Sequence, residues 1–336
     1  MPCTAGRQSP VAPFHLKNHT ALHYNVRRSN QQAVEHLAKN CGCSVNMKII
    51  RWIVIILYFC VAVMPLAWMV ATSFKTKPAA ITTPAKFLPF AGDESTMNLR
   101  ETVLFEPTVE GYRQLARPYT NKNETFFRFL ANSLVIGLIS TLAAVGLGTS
   151  CAYGFSRFRI AGSRDWLFFI LSTRFLPPMA VVMPVLMMYR QFSLENTHVG
   201  LIVLYTAFNL SLAVWLMKGF IDDIPRAYEE AALVDGYSRL ATFRRIILPH
   251  ASTGMAVTAV FCLISALNEY GFAVTLNNSE AVTVPVFFAG LRGTTDGVPW
   301  PQLAAGALLF VIPVAVFTTL VRKHLLRGVT FGTIKQ

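Results

Sequence analysis

Six long uncharged runs punctuate the chain. Residues 52–70 are wholly apolar, 129–156 carry no charge, and 166–189 are interrupted only by Arg174. Residues 200–217, 251–267 and 303–321 are equally free of charge. Each run approaches or exceeds the roughly 18 apolar residues that cross a bilayer as a helix. None alternates with the two-residue period of a barrel strand. The pattern therefore predicts an all-α membrane protein of six transmembrane helices, with spans at about 52–72, 129–153, 166–189, 199–217, 251–275 and 303–321.

Composition agrees. Of 336 residues, 53% are hydrophobic and 14% charged, against about 25% charged in an ordinary soluble domain. A soluble fold lacks the polar surface it needs here, and disorder requires the opposite composition. The net charge of +13 raises nucleic acid as a partner, but the basic residues form no patch interleaved with aromatics, so nucleic acid is excluded. They lie between the spans: Arg157, Arg159 and Arg164 after the second, Lys218, Arg226, Arg239, Arg244 and Arg245 after the fourth, and Arg322, Lys323, Arg327 and Lys335 in the tail. The short loops on the other side hold only Arg190 and Arg292. This asymmetry places both termini in the cytoplasm, with a long first external loop at roughly 73–126. Residues 1–46 carry four of the seven histidines and no apolar periodicity. They read as an extension, with the membrane domain running from 47 to 336 and Met47 as the expected functional start.

The chemical inventory is thin. No Gly-Lys dipeptide exists, so there is no phosphate-cradling loop. His198, His250 and His324 lie in separate segments with no cysteine or carboxylate cluster, so no metal, bound cofactor or catalytic group is expected and the chain is not read as an enzyme. In span two, Gly137, Thr141, Ala144, Gly148 and Ala152 form a small-residue stripe for close helix packing. Pro177 and Pro178 predict a bend in span three beside a pathway. Three polar features inside spans are candidates for that pathway. Arg174 must face a partner or a wet cavity, or else snorkel to the interface. Asn268 and Glu269 line the outer pathway or simply close span five. Asn209 is expected to hydrogen-bond a neighbouring helix.

The loop between spans four and five is the most informative segment. Asp222 and Asp223 precede Ile224 and Pro225, which reads as an acidic cap with proline in the first helical turn. Helix-forming residues 226–233 follow, Asp235 and Gly236 mark a stop, and Ser238 can cap a second helix reaching Leu248 and Pro249. The result is a cytoplasmic helical hairpin at 222–249, too polar for the bilayer. Ala231 and Ala232 would allow close approach of another surface, with Glu230, Arg239 and Arg244 as ion-pair partners.

Glu230, Ala231, Ala232, Asp235, Gly236, Phe243, Ile246, Leu248 and Pro249 closely resemble the EAA signature of ABC importer permease subunits. Asn132 and Ser133, the segment Ala152 to Phe158, and the tail Arg327 to Gly332 are similar to the carbohydrate-uptake branch, the maltose-type inner subunit. The resemblance covers about residues 47–336. It implies a permease subunit of a binding-protein-dependent importer of a sugar, polyol or small glycoside, in the bacterial inner membrane. It further implies a second permease subunit, two ATP-binding cassette subunits carrying ATP and Mg, and a periplasmic solute-binding protein. Within it, Glu230, Ala231, Ala232, Asp235, Gly236, Leu248 and Pro249 would couple to the ATPase. The alternative function is a stand-alone ion-coupled carrier using Arg174 and Glu269.

Overall fold

The computed structural model describes residues 43–81, 88–89, 104–119, 124–277, 279–291 and 297–331; most of the amino-terminal extension lies outside them. Two compact units divide the chain after Ala67. Helix α1 (Cys43–Ser73) runs through this boundary and contains Pro65. It starts ahead of Met47, so the sequence boundary proposed there falls within a helix.

In the second unit, α2 (Lys77–Ile81), a two-residue parallel ladder pairing Leu88 with Leu104 and Pro89 with Phe105, and α3 (Glu110–Ala116) precede the second span. The spans continue with α4 (Phe126–Arg157), α5 (Ser163–Ser172), α6 (Pro178–Gln191) and α7 (His198–Asp222). The hairpin supplies α8 (Ala227–Val234), α9 (Arg239–Thr242), a π-helical turn at Phe243–Ile247, and α10 (Leu248–His250). Then come α11 (Ser252–Leu267), α12 (Gly271–Leu276), α13 (Val284–Leu291) and α14 (Trp300–Phe331).

Among the described residues, four helices are long and apolar enough to cross a membrane alone, within α1, α4, α7 and α14; counting each of two bent pairs as one span gives six. The third span is two helices meeting at 92°, a sharper break than a bend in one helix. Pro177 and Pro178 have no N–H to donate, and Leu176 takes the extended conformation (ψ 124°) that a residue before proline favours. The fifth span is not one helix over 251–275. It stops at Leu267, breaks through Asn268 to Tyr270, and resumes as α12. At its start, Arg239–His250 and Ser252–Leu267 meet at 71°.

The centre of the unit is the pairing of α4 with α7, its most extensive helix contact. The small-residue stripe of α4 is buried along its length. A Cβ added at Gly148 would lie 2.6 Å from Ala213 Cβ, so the two backbones meet directly. Asn132 and Ser133 fasten the start of α4. Asn132 Nδ2 donates to the carbonyls of Val282 (3.1 Å) and Glu280 (3.4 Å), and Ser133 Oγ accepts from the Val284 amide (2.8 Å). An aromatic cluster of Phe126, Phe129 and Phe287 fills the same end with Leu115, Val284 and Leu291. Near it Lys75 is buried with its ammonium 3.8 Å from the Trp68 ring centroid, and burial pushes its pKa down.

Gly148→Ala should force α4 and α7 apart, because the contacted atom is attached directly to the opposing backbone. Overpacking of this kind costs about 1–3 kcal/mol. Thermal unfolding of the purified protein in detergent should show the loss, whereas Gly146→Ala, with nothing within 4 Å of its Cβ position, should leave the transition unchanged.

Candidate functional site

The hairpin is built as two short limbs joined by a glycine turn. Gly236 has φ +86°, the left-handed region open to glycine. The Tyr237 amide donates to the Ala232 carbonyl (3.0 Å) and the Gly236 amide to Leu233 (3.1 Å), which is the paired closure that satisfies the last carbonyls of a helix. Ser238 Oγ accepts from the Ala241 amide at 3.3 Å and starts the second limb, as its position suggests. Pro249 has no N–H for the carbonyl four residues back, and the turn before it is wound as a π-helix, with the Leu248 amide donating to Phe243.

One expectation for the hairpin is corrected. Asp222 and Asp223 do not cap α8; Asp222 is the last residue of α7 and pairs with Lys218 one turn earlier. The i,i+4 spacing to that lysine outweighs the capping pattern. Within the chain, Glu229 is buried against Arg157, while Glu230 is exposed with no ion pair among the described residues. A one-residue step on a helix turns the side chain by about 100°, which separates the two roles. Arg239 does not pair with a carboxylate among the described residues; its guanidinium lies 5.7 Å from the Phe158 ring centroid. Arg244 is exposed, with no ion pair among the described residues.

Of the other signature residues, Ala231, Asp235 and Gly236 are exposed, whereas Ala232 is 3% exposed and packs inside the chain. Leu248 is half-buried and Pro249 exposed. Tyr228, Val234 and Leu240 present apolar side chains to the outside, Val234 being 88% exposed.

The intramembrane polar residues partly converge. Arg174, Asn209 and Glu269 line one cavity of about 180 Å³ with Tyr205, Phe208, Ser265 and Phe272. Arg174 donates to Ser265 Oγ (2.9 Å), the Phe208 carbonyl (3.2 Å) and Asn209 Oδ1 (3.4 Å). The guanidinium is thus held by neutral oxygens from spans four and five, with no carboxylate within 4 Å among the described residues. Asn209 Nδ2 donates to the Cys262 carbonyl at 3.3 Å, the interhelical bond its position implies. Glu269 accepts from Tyr205 Oη (2.9 Å) and from the amides of Phe272 (2.9 Å) and Ala273 (3.2 Å), so it caps the helix that follows the break. Asn268 is separate: it is exposed, donates to the Ile264 carbonyl, and lines a different cavity with Tyr270, Pro285 and Phe288.

Sequence reasoning missed Tyr205 and Ser265, which look like ordinary polar residues within apolar runs, and it missed the Arg157–Glu229 pair. The signal for that pair was available, because Arg157 ends α4 and Glu229 lies in the first turn of α8, just after the end of α7.

Comparison with known proteins bears on this arrangement. The family described as binding-protein-dependent transport system inner membrane component matches residues 144–331. The trehalose transport system permease protein SugB of Mycobacterium tuberculosis is 31% identical over 276 residues, covering 82% of this chain and 93% of that protein. The trehalose/maltose transport system permease protein MalG of Thermococcus litoralis is 28% identical over 281 residues, covering 83% and 94%. A crystal structure of a bacterial ABC transporter involved in import of the acidic polysaccharide alginate shares the fold, with a TM-score of 0.61 at 20% identity over 84% of this chain and 97% of that one. The chain, with its glycine-turned hairpin joining spans four and five, belongs to the family of inner membrane components of binding-protein-dependent transport systems, the permease subunits of ABC transporters.

Proposed function

We propose that the chain is a permease subunit that carries a sugar, polyol or small glycoside across the bacterial inner membrane, with both termini in the cytoplasm. It hydrolyses no ATP itself. Two ATP-binding cassette subunits would bind ATP and Mg, a second permease subunit would complete the pore, and a periplasmic solute-binding protein would deliver the substrate. The observation that carries this reading is the hairpin, a structured element that exposes the apolar side chains of Tyr228, Val234 and Leu240. Apolar side chains exposed on such an element suit burial in a partner's cleft. Glu230, Ala231, Asp235 and Gly236 lie exposed on the same limb and turn, while Ala232, Leu248 and Pro249 shape the hairpin that presents them. Closure of the ATPase pair would then favour one orientation of the hairpin, the differential interaction that a conformational change requires.

Arg174, Asn209 and Glu269 are assigned to the translocation pathway with Tyr205 and Ser265. A lining that alternates hydrogen-bonding groups with the rings of Phe208 and Phe272 suits a ligand with polar edges and apolar faces, as a sugar ring has. The saccharides named for the relatives support the same substrate class. The alternative of an ion-coupled carrier is disfavoured by family membership, and both carboxylate oxygens of Glu269 are already engaged.

Val234→Asp and Leu240→Asp should each insert normally yet lose at least tenfold in ATPase subunits retained on co-purification from membranes. Normal retention in both would remove the docking role. Gly236→Val should also weaken retention, because a left-handed conformation costs a β-branched residue roughly 1–2 kcal/mol while its side chain meets nothing within 4 Å. Faster amide exchange confined to the hairpin would register the strain. Arg174→Leu should keep insertion and ATPase retention but reduce uptake of labelled trehalose or maltose, whichever the parent transports, by tenfold or more.

A further inference from the structure

Where spans two and four end, one buried guanidinium ties three elements together. Arg157, the last residue of α4, is 5% exposed at its side chain, and Glu229 on α8 is 7% exposed. Arg157 Nε donates to Glu229 Oε1. Its Nη2 donates to the carbonyls of Ile221 (3.0 Å) in the last turn of α7 and of Ile224 (2.8 Å) just beyond it. Its Nη1 donates to Ser156 Oγ at 2.9 Å, and that hydroxyl donates to Asp222 Oδ1 at 2.6 Å. The second carboxylate oxygen of Glu229 accepts from Tyr153 Oη at 3.1 Å. Arg226, just before α8, donates to the Ser156 carbonyl at 3.1 Å.

Packing reinforces these bonds on the other limb. The Tyr153 ring lies 4.7 Å from that of Phe243, and Ile221, Ile224 and Ile247 are buried in the same cluster. Both limbs of the hairpin are therefore seated on the ends of α4 and α7, while Val234 and Leu240 stay exposed.

We propose that Arg157, Glu229 and Tyr153 form a rigid joint through which movement of the hairpin is carried into spans two and four. These are positioning residues for coupling; they touch neither nucleotide nor substrate. This rests on the docking role of the hairpin proposed above. The physical reason is the cost of slippage. Sliding α8 against α4 would strip a buried guanidinium of its carboxylate while both remain out of water, and breaking a buried pair is far less favourable than keeping it. A solvated surface pair could exchange partners with water and absorb the same displacement.

The test uses the complete transporter, with spin labels on exposed cysteines introduced at Ala227 in the hairpin and Ser150 on span two, and native cysteines replaced by serine. Distances are compared without nucleotide and with ATP and vanadate. In the parent, the two labels should keep their separation to within roughly the 1–2 Å of small helix shifts. In Arg157→Met/Glu229→Met, which removes both charges together, ATPase subunits should be retained and ATP hydrolysed, but the separation should change with nucleotide. An unchanged separation in this variant, or a nucleotide-dependent separation in the parent, would overturn the joint. Loss of ATPase subunits from the variant alone would assign the pair to the docking face and also overturn it. Loss from the parent would instead sink the docking role itself. Should the double variant fail to assemble, Tyr153→Phe decides: it keeps the ion pair and should broaden the distance distribution with nucleotide, and a distribution identical to the parent's would refute the proposal.

Discussion

Close contact between spans two and four depends on residues small enough to let two backbones meet, above all Gly148 against Ala213. In a bilayer the lipid tails are as apolar as leucine, so helices gain little by hiding side chains from their surroundings. Association rests on van der Waals packing and on hydrogen bonds between helices. A stripe of glycine, alanine, serine and threonine on α4 maximises both. Span five meets span four differently, for a Cβ at Gly254 would fall within the Phe220 side chain, so glycine there makes room for the ring. With these contacts in place, the ends of α4 and α7 are fixed relative to each other, and the hairpin has a defined seat.

The broken third and fifth spans follow from that arrangement. Each break frees backbone groups in a region where unsatisfied groups are costly. In span five the freed amides of Phe272 and Ala273 are met by Glu269, and that carboxylate is steadied by Tyr205 from span four. In span three the break brings Arg174 to a place where Asn209, Ser265 and the Phe208 carbonyl can satisfy it. The same breaks that interrupt the helices open a cavity between them, lined by a few polar groups among apolar ones. Irregular backbone at membrane depth and a lined cavity are here two aspects of one feature.

At the hairpin the balance of polar and apolar groups is inverted. Toward the spans it holds a buried ion pair, while Tyr228, Val234 and Leu240 are exposed apolar side chains. A buried pair is weak support for stability compared with apolar packing, but it is demanding about geometry, because each partner needs the other in place. Rigidity toward the spans and apolar exposure toward the outside suit an element that receives force on one side and delivers it on the other.

Hydrophobic run lengths alone determined an all-helical membrane protein, and a short polar signature with its glycine determined the hairpin, because both depend on local chemistry along the chain. The positive φ at Gly236, the Ser238 cap and the buried stripe of α4 were legible for that reason. Contacts across the chain were not. Nothing in the order of residues distinguishes Glu229 from Glu230 until the face of α8 that meets Arg157 is known, and Asp222 looks like a cap until the end of α7 is placed. Convergence of Arg174, Asn209 and Glu269, and the separation of Asn268 from them, likewise required the right-angle break in span three and the short α12. Such facts arise from how helices rotate and cross when packed, and a one-residue step that is trivial in sequence turns a side chain to a different neighbour.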